Sequence, residues 1–177
     1  ESEFIFKASQ DAAFIGSYKF DLIQDFWTSS EVLEQIFGIE NNYSKNMQGW
    51  LNIVHPEDRE MLAKYFNEYV VAKQKQFNRE YRIIRLSDGI TRWVHGMGKL
   101  DFDGHGNIVS MIGTIQDITN RKQQEESLRQ SNELNQSLLQ TIPFGMNIVD
   151  ESGNILFMNK KMEKLLGRDA VGQKCWL

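Results

Sequence analysis

Cysteine, proline, long apolar runs and an excess of positive charge are what this chain has least of. A single cysteine, Cys175, stands among 177 residues. It leaves no internal disulfide and no multi-cysteine zinc site, and it suits a reducing cytosol. No apolar run approaches the ~18 residues that span a bilayer, and the mean hydropathy is −0.47. Lys plus Arg number 20 against 24 Asp plus Glu, a net charge of −4, with no basic stripe of the kind a nucleic-acid surface needs. The chain opens Glu1-Ser2-Glu3 without Met, with acids where a secretory leader carries basic residues, and is expected to be a piece of a longer protein.

What is present is 41% apolar, 25% charged and 11% aromatic, the balance of a soluble globular chain with room for one domain and something extra. The two prolines, Pro56 and Pro143, sit at boundaries. Pro56 opens Glu57-Asp58-Arg59-Glu60, and proline followed by acids in a first turn favours a helix start. Leu62, Tyr65, Phe66, Tyr69 and Val70 then form a helical stripe, which predicts a helix over about 57–74. Strands are expected at 77–86, 91–102 and 107–117, separated by the turn signals Ser87-Asp88-Gly89 and Asp103-Gly104-His105-Gly106. Two shorter strands, 14–21 and 25–28, and a helix from Ser30 to Phe37 stopped by Gly38 precede them. This order describes an α+β domain with one antiparallel sheet.

Residues 120–140 are polar, helix-favouring and free of Gly and Pro. About 21 residues of helix span roughly 30 Å, more than a domain needs to close itself off. Leu134, Leu138 and Thr141 fit a heptad seam that Gln124, Ser127 and Ser131 dilute, so the helix is expected to pair only where its neighbours already do. After Pro143 the beginning repeats. A shift of 129 residues aligns Gly16 with Gly145, Asp21 with Asp150, Glu34 with Glu163 and Gly38 with Gly167. Apolar class also matches, as in Trp27 with Leu156 and Leu33 with Met162. A second copy of the domain therefore starts here, and its 36 residues cannot bury a core alone.

Gly38, Val54-His55-Pro56-Glu57-Asp58-Arg59, Glu80-Tyr81-Arg82, Asp88-Gly89 with Arg92-Trp93-Val94, and Gly113 before Asp117-Ile118-Thr119 come in the order and spacing of PAS domains. Residues 10–128 resemble that family throughout, and Phe144-Gly145 to Gly167 resembles its start with fewer markers. The resemblance implies a five-stranded antiparallel sheet with short helices on one side, followed by a long connector helix. It implies a PAS sensory domain with an N-terminal helix or arm at 1–119, a signalling connector helix at 120–141 and the start of a second PAS domain at 142–177. It also implies a cytoplasmic sensory and dimerisation module of a bacterial or archaeal signalling protein, a sensor histidine kinase foremost. A ligand-free interaction module of a diguanylate cyclase or transcription regulator is the alternative. No phospho-acceptor His region, Gly-rich ATP loop or cyclase signature is present, so the chain itself is expected to have no catalytic activity, no nucleic-acid partner and no membrane contact.

By the register of the family's last strands, Ile84, Val94, Gly96 and Ile115 are expected to line a pocket, with Trp50 as an aromatic contact and Arg82 and His55 as candidate polar contacts. Trp93 and Met97 are expected on the outer, dimer-side face, which the arm around Phe4 and Phe6 would cover. Asp117 and Thr119 join the last strand to the helix and are the expected signal relay. Flavin photochemistry needs a cysteine that residues 45–60 lack, and haem through His95 is not expected because His95 falls on the outer face. A small organic ligand and a pocket filled by its own side chains both stay open. His55-Pro56-Glu57-Asp58 is read as a helix start, and the Asp101–Gly106 turn has Ile112 where a calcium loop needs glutamate. No metal site is expected.

Overall fold

A computed structural model describes residues 14–175; the expected arm at Phe4 and Phe6 lies outside them. Contacts divide the chain after Lys122 into two compact units. The first contains β1 (Ile15–Asp21), β2 (Phe26–Ser29), α1 (Glu31–Phe37), α2 (Met47–Ile53), α3 (Pro56–Tyr65), β3 (Phe77–Ile84), β4 (Thr91–Phe102) and β5 (Ile108–Asp117). Helix α4 (Thr119–Thr141) starts in this unit and runs into the second, which holds β6 (Asn147–Val149), β7 (Ile155–Met158) and α5 (Lys160–Leu166).

The five strands form one antiparallel sheet in the order β2-β1-β5-β4-β3. This is the α+β PAS architecture that the resemblance implies, with a long helix after the sheet. Strand ends fall within a residue or two of expectation, and β4 starts and stops where the turn signals place it.

Local chemistry explains each helix. Ser30 caps α1 by accepting from the Leu33 amide, and Gly38 ends it at φ 66, a left-handed conformation in which a side chain would be strained. Gly16 lets α1 lie directly on β1, since a Cβ there would stand 2.5 Å from Leu33 Cα. Pro56 and the acids Glu57 and Asp58 open α3, with the His55 ring accepting from the Glu57 amide. Helix α2 was not foreseen. Asn46 caps it by accepting from the Gly49 amide at 2.7 Å, a signal the sequence carried in a single residue. The predicted helix over 57–74 is α-helical only to Tyr65 and continues as a π-helical segment, Phe66–Val71. There the Ala72 amide reaches back to the Asn67 carbonyl at 3.0 Å. Leu62, Phe66 and Val70 are buried, while Tyr65 and Tyr69 stack on each other at 5.1 Å beside them.

In the second unit, Asn159 caps α5 from the Met162 amide as Ser30 caps α1 from Leu33, and Gly167 repeats the left-handed stop at φ 69. The 129-residue repeat is therefore structural: cap, helix and stop recur at matched positions.

Candidate functional site

The sheet's inner face and the helices enclose a small aromatic cavity of about 50 Å³. Tyr18 and Phe20 enter it from β1, Phe77 and Tyr81 from β3, Met111 and Ile115 from β5. Trp50 of α2 and Phe66 of the π segment also line it, with Trp27, Leu33, Phe37 and Met47. Trp50 meets both Phe77 and Tyr81 edge to face at 6.0 Å, and Phe20 and Phe66 are tilted at 55° with centroids 6.3 Å apart. Such tilted contacts are the favoured geometry of aromatic clusters.

Glycines make room for these rings. A Cβ on Gly96 would stand 2.9 Å from Phe77 Cε1 and 3.2 Å from Tyr81 Cε1. Gly98 and Gly113 are paired across β4 and β5, and a Cβ on either would come within 2.6 Å of the Tyr18 hydroxyl oxygen. Tyr18 thus lies over a floor of two glycines and donates to the Met97 carbonyl at 3.3 Å. Trp50 Nε1 donates to the Tyr81 hydroxyl at 3.2 Å. Burial holds both phenols well above the ordinary tyrosine pKa, and among the described residues no charged side chain lines the space.

Of the residues singled out by sequence, Trp50 and Ile115 line this cavity. Val94 is fully buried on the same face of the sheet, and Gly96 carries the rings just described. Three residues stand elsewhere and correct the expectation. Tyr81 pairs with Val94 and Ile84 with Thr91, so alternation turns Ile83 inward, where it is fully buried, and Ile84 to the outer face. Two adjacent isoleucines gave composition no means to choose between them. Arg82 also points outward, donating through Nε and Nη2 to Asp58, whose carboxylate takes the Arg82 amide as well; Glu57 reaches the same guanidinium at 3.0 Å. Arg82 holds the Asp58 carboxyl below the usual carboxylate range. His55 is occupied at the start of α3. On the outer face Trp93 is half-buried and Met97 exposed, and His95 Nε2 lies 2.7 Å from the Asn78 side-chain oxygen.

Sequence reasoning missed most of the cavity's aromatics: Tyr18, Phe20, Phe66, Phe77 and Tyr81. The period-2 alternation of β3 from Phe77 carried part of that signal.

Asp117 and Thr119 form a compact exit. The Asp117 carboxylate accepts from Arg92 Nη1 at 3.0 Å and from the Thr119 amide at 2.9 Å. The Thr119 hydroxyl oxygen accepts from the Trp93 amide at 3.0 Å, and the Ile118 amide donates to the Trp93 carbonyl at 2.9 Å. One turn on, Arg121 and Lys122 each reach Glu80 of β3 at 2.7 Å, and these cations hold the Glu80 carboxyl below its ordinary range. Lys122 and Arg82 both lie over the Trp93 ring, at 5.3 and 5.9 Å. The first turn of α4 is thereby fixed to β3, β4 and β5. A single row of the sheet joins cavity to exit, because Tyr81 pairs with Val94 and Val94 with Asp117.

The PAS fold family profile matches residues 26–115, and a second PAS fold profile matches 133–173. The probable diguanylate cyclase DgcE of Escherichia coli is 26% identical over 90% of this chain, which spans 14% of that protein. The sensor protein FixL of Bradyrhizobium diazoefficiens is 26% identical over 90% of the chain, which spans 32% of it. A sensory box histidine kinase/response regulator structure from Burkholderia thailandensis superposes with TM-score 0.60 at 25% identity, covering 72% of this chain and 95% of that one. The N-terminal domain of a diguanylate cyclase with PAS/PAC sensor from Marinobacter aquaeolei gives 0.57 at 19% identity, covering 61% and 98%. No helix among the described residues is long and apolar enough to cross a membrane. The match over residues 26–115 covers half of the chain, and the chain belongs to the PAS fold family.

Proposed function

We propose that the chain is the sensory input region of a cytoplasmic signal-transduction protein. A change in packing around the aromatic cavity passes through Asp117–Thr119 into α4 and from there to an output domain. The observation that carries this reading is the row Tyr81–Val94–Asp117, in which one buried ring of the cavity and the helix-anchoring carboxylate share a line of paired backbone. The working organisation is a sensory domain at 1–119, a connector at 120–141 and the start of a second sensory domain at 142–177. The chain acts as a homodimer, whose parallel pairing sets two copies of α4 side by side, and it has no catalytic activity of its own. Similarity to FixL and to the Burkholderia sensory box kinase supports a sensor histidine kinase as the parent.

A second reading is favoured by how far the cavity's own rings fill it: a ligand-free packing and dimerisation module, with the similarity to DgcE and to the Marinobacter protein supporting a diguanylate cyclase parent. Native and denaturing mass spectra of the purified chain, with an absorption scan, separate the two. A dimer carrying a small-molecule increment that vanishes on denaturation supports the sensor. A dimer of bare chain mass supports the packing module, and a clean monomer contradicts both.

A further inference from the structure

The shift of 129 residues that relates the two copies also shows where they differ, and the difference sits at the far end of α4. In the first copy the Ser30 hydroxyl oxygen accepts from the Ser17 amide at 3.0 Å and from the Leu33 amide at 3.4 Å. In the second, Asn159 Oδ1 accepts from the Met146 amide at 3.0 Å and from the Met162 amide at 2.9 Å. The shift places Met146, Asn159 and Met162 on Ser17, Ser30 and Leu33. Each oxygen therefore ties the beginning of its copy to the start of the following helix in the same way. A serine does this as well as an asparagine.

Asn159 carries two further donors that a serine lacks. Its Nδ2 donates to the Phe144 carbonyl at 2.9 Å and to the Leu139 carbonyl at 3.4 Å. Leu139 belongs to the last turn of α4, where the final four carbonyls have no acceptor role inside the helix. A second tie runs the other way. The Lys160 amide, at the first position of α5 and equally without an intrahelical partner, donates to Gln140 Oε1 at 2.9 Å. The end of α4 and the start of α5 thus satisfy each other. Asn159 is fully buried, and both its oxygen and its nitrogen carry two hydrogen bonds, so its amide cannot turn without orphaning buried groups. We infer that Asn159, together with Gln140, is the positioning residue through which the connector acts on the second copy: when the last turn of α4 shifts or frays, the start of α5 goes with it. The inference rests on the reading of α4 as a connector. On it the first domain sends through Asp117–Thr119, and the second receives through Gln140 and Asn159.

The chain supplies its own control, because Asn159→Ser keeps the cap that Ser30 makes in the first copy and removes only the two donors. Amide exchange of the 177-residue chain is followed by NMR at Leu139 and Gln140 and at Lys160 and Met162. Ser137 is exposed on α4, and Ser137→Gly is expected to speed exchange of the last turn of α4 by about twofold. In the unaltered background Lys160 and Met162 are expected to speed up by a similar factor. In Gln140→Ala/Asn159→Ser the last turn of α4 still responds and α5 does not. A response at α5 that persists in that double variant overturns the inference, as does no response at α5 in the unaltered background. If the double variant loses the fold of the second copy, reciprocity gives the same answer without it. Gly167→Ala strains the stop of α5 at φ 69 and is expected to speed exchange at Leu139 and Gln140; unchanged exchange there overturns the coupling. The relay from the first domain has a separate readout. Trp50→Phe that leaves residues 123–135 unmoved contradicts the relay, while the Ser137→Gly response still decides the coupling.

Discussion

Gly96 stands where the rings of Phe77 and Tyr81 cross β4, and a methyl group there would press on both from 2.9 and 3.2 Å. Gly96→Ala is expected to lower stability by ~1–3 kcal/mol, the usual range for overpacking, and to shrink the cavity; urea unfolding and loss of xenon binding check this. Gly113→Ala is expected to cost more, because its Cβ would meet the Met97 carbonyl oxygen, a backbone atom, at 2.0 Å. Asp58 gives a prediction in pH. Its side chain is 12% exposed and accepts three hydrogen bonds from Arg82, so its carboxyl titrates lower in the folded than in the unfolded chain. The stabilisation is present above the unfolded value, about 3.9, and is lost as pH falls from there through the folded value. Asp58→Asn is expected to destabilise by ~1.5–3 kcal/mol at pH 7, with the gap to the unaltered chain closing below pH ~4; denaturation at both pH values measures it.

Caps and anchors decide the elements. Ser30→Ala removes the acceptor for the Leu33 amide and is expected to cost ~1 kcal/mol, read from thermal unfolding of the first unit. Helix α4 buries no residue along its 23 residues, whereas α1, α2 and α3 each bury at least one. Its first turn is tied to the sheet through Asp117, Thr119 and Glu80. Strand and helix positions were legible in the sequence because turn chemistry marks them: β4 runs between Ile90 and Asp103 as its flanking Asp-Gly signals require. The inward residues of β3 were less legible. Ile83-Ile84 is apolar at both parities, and only pairing with β4 decides which one faces the core. The π segment left no trace, since Phe66 and Val70 satisfy an α-helical stripe equally well. Little of the cavity was legible: Trp50 and Ile115 were named from the family pattern, whereas Tyr18 and Phe66 reach it from elements whose distance along the chain hides their contact.

Across the whole molecule, matched positions of the two copies have opposite environments. Phe20, Trp27, Ile36 and Phe37 are at most 7% exposed, and their counterparts Val149, Leu156, Leu165 and Leu166 are 44–71% exposed. The first copy covers that face with β3, β4 and β5, and residues 142–175 have no such cover among the described elements. Amide hydrogens of β6, β7 and α5 are accordingly expected to exchange faster than those of β1, β5 and β4 by at least a hundredfold, measured by mass spectrometry of the whole chain. The central claim, that the exit couples the cavity to the connector, is tested most directly by the same exchange measurement on α4. Exchange of residues 123–135 is compared before and after a cavity change, Trp50→Phe, in the parent chain and in Asp117→Ala. The expected result is a change in α4 exchange with Asp117 present and none with Asp117→Ala, while β1 and β5 stay protected in both. An α4 response that persists without the carboxylate, or an Asp117→Ala chain that merely loses protection throughout the first unit, would contradict it.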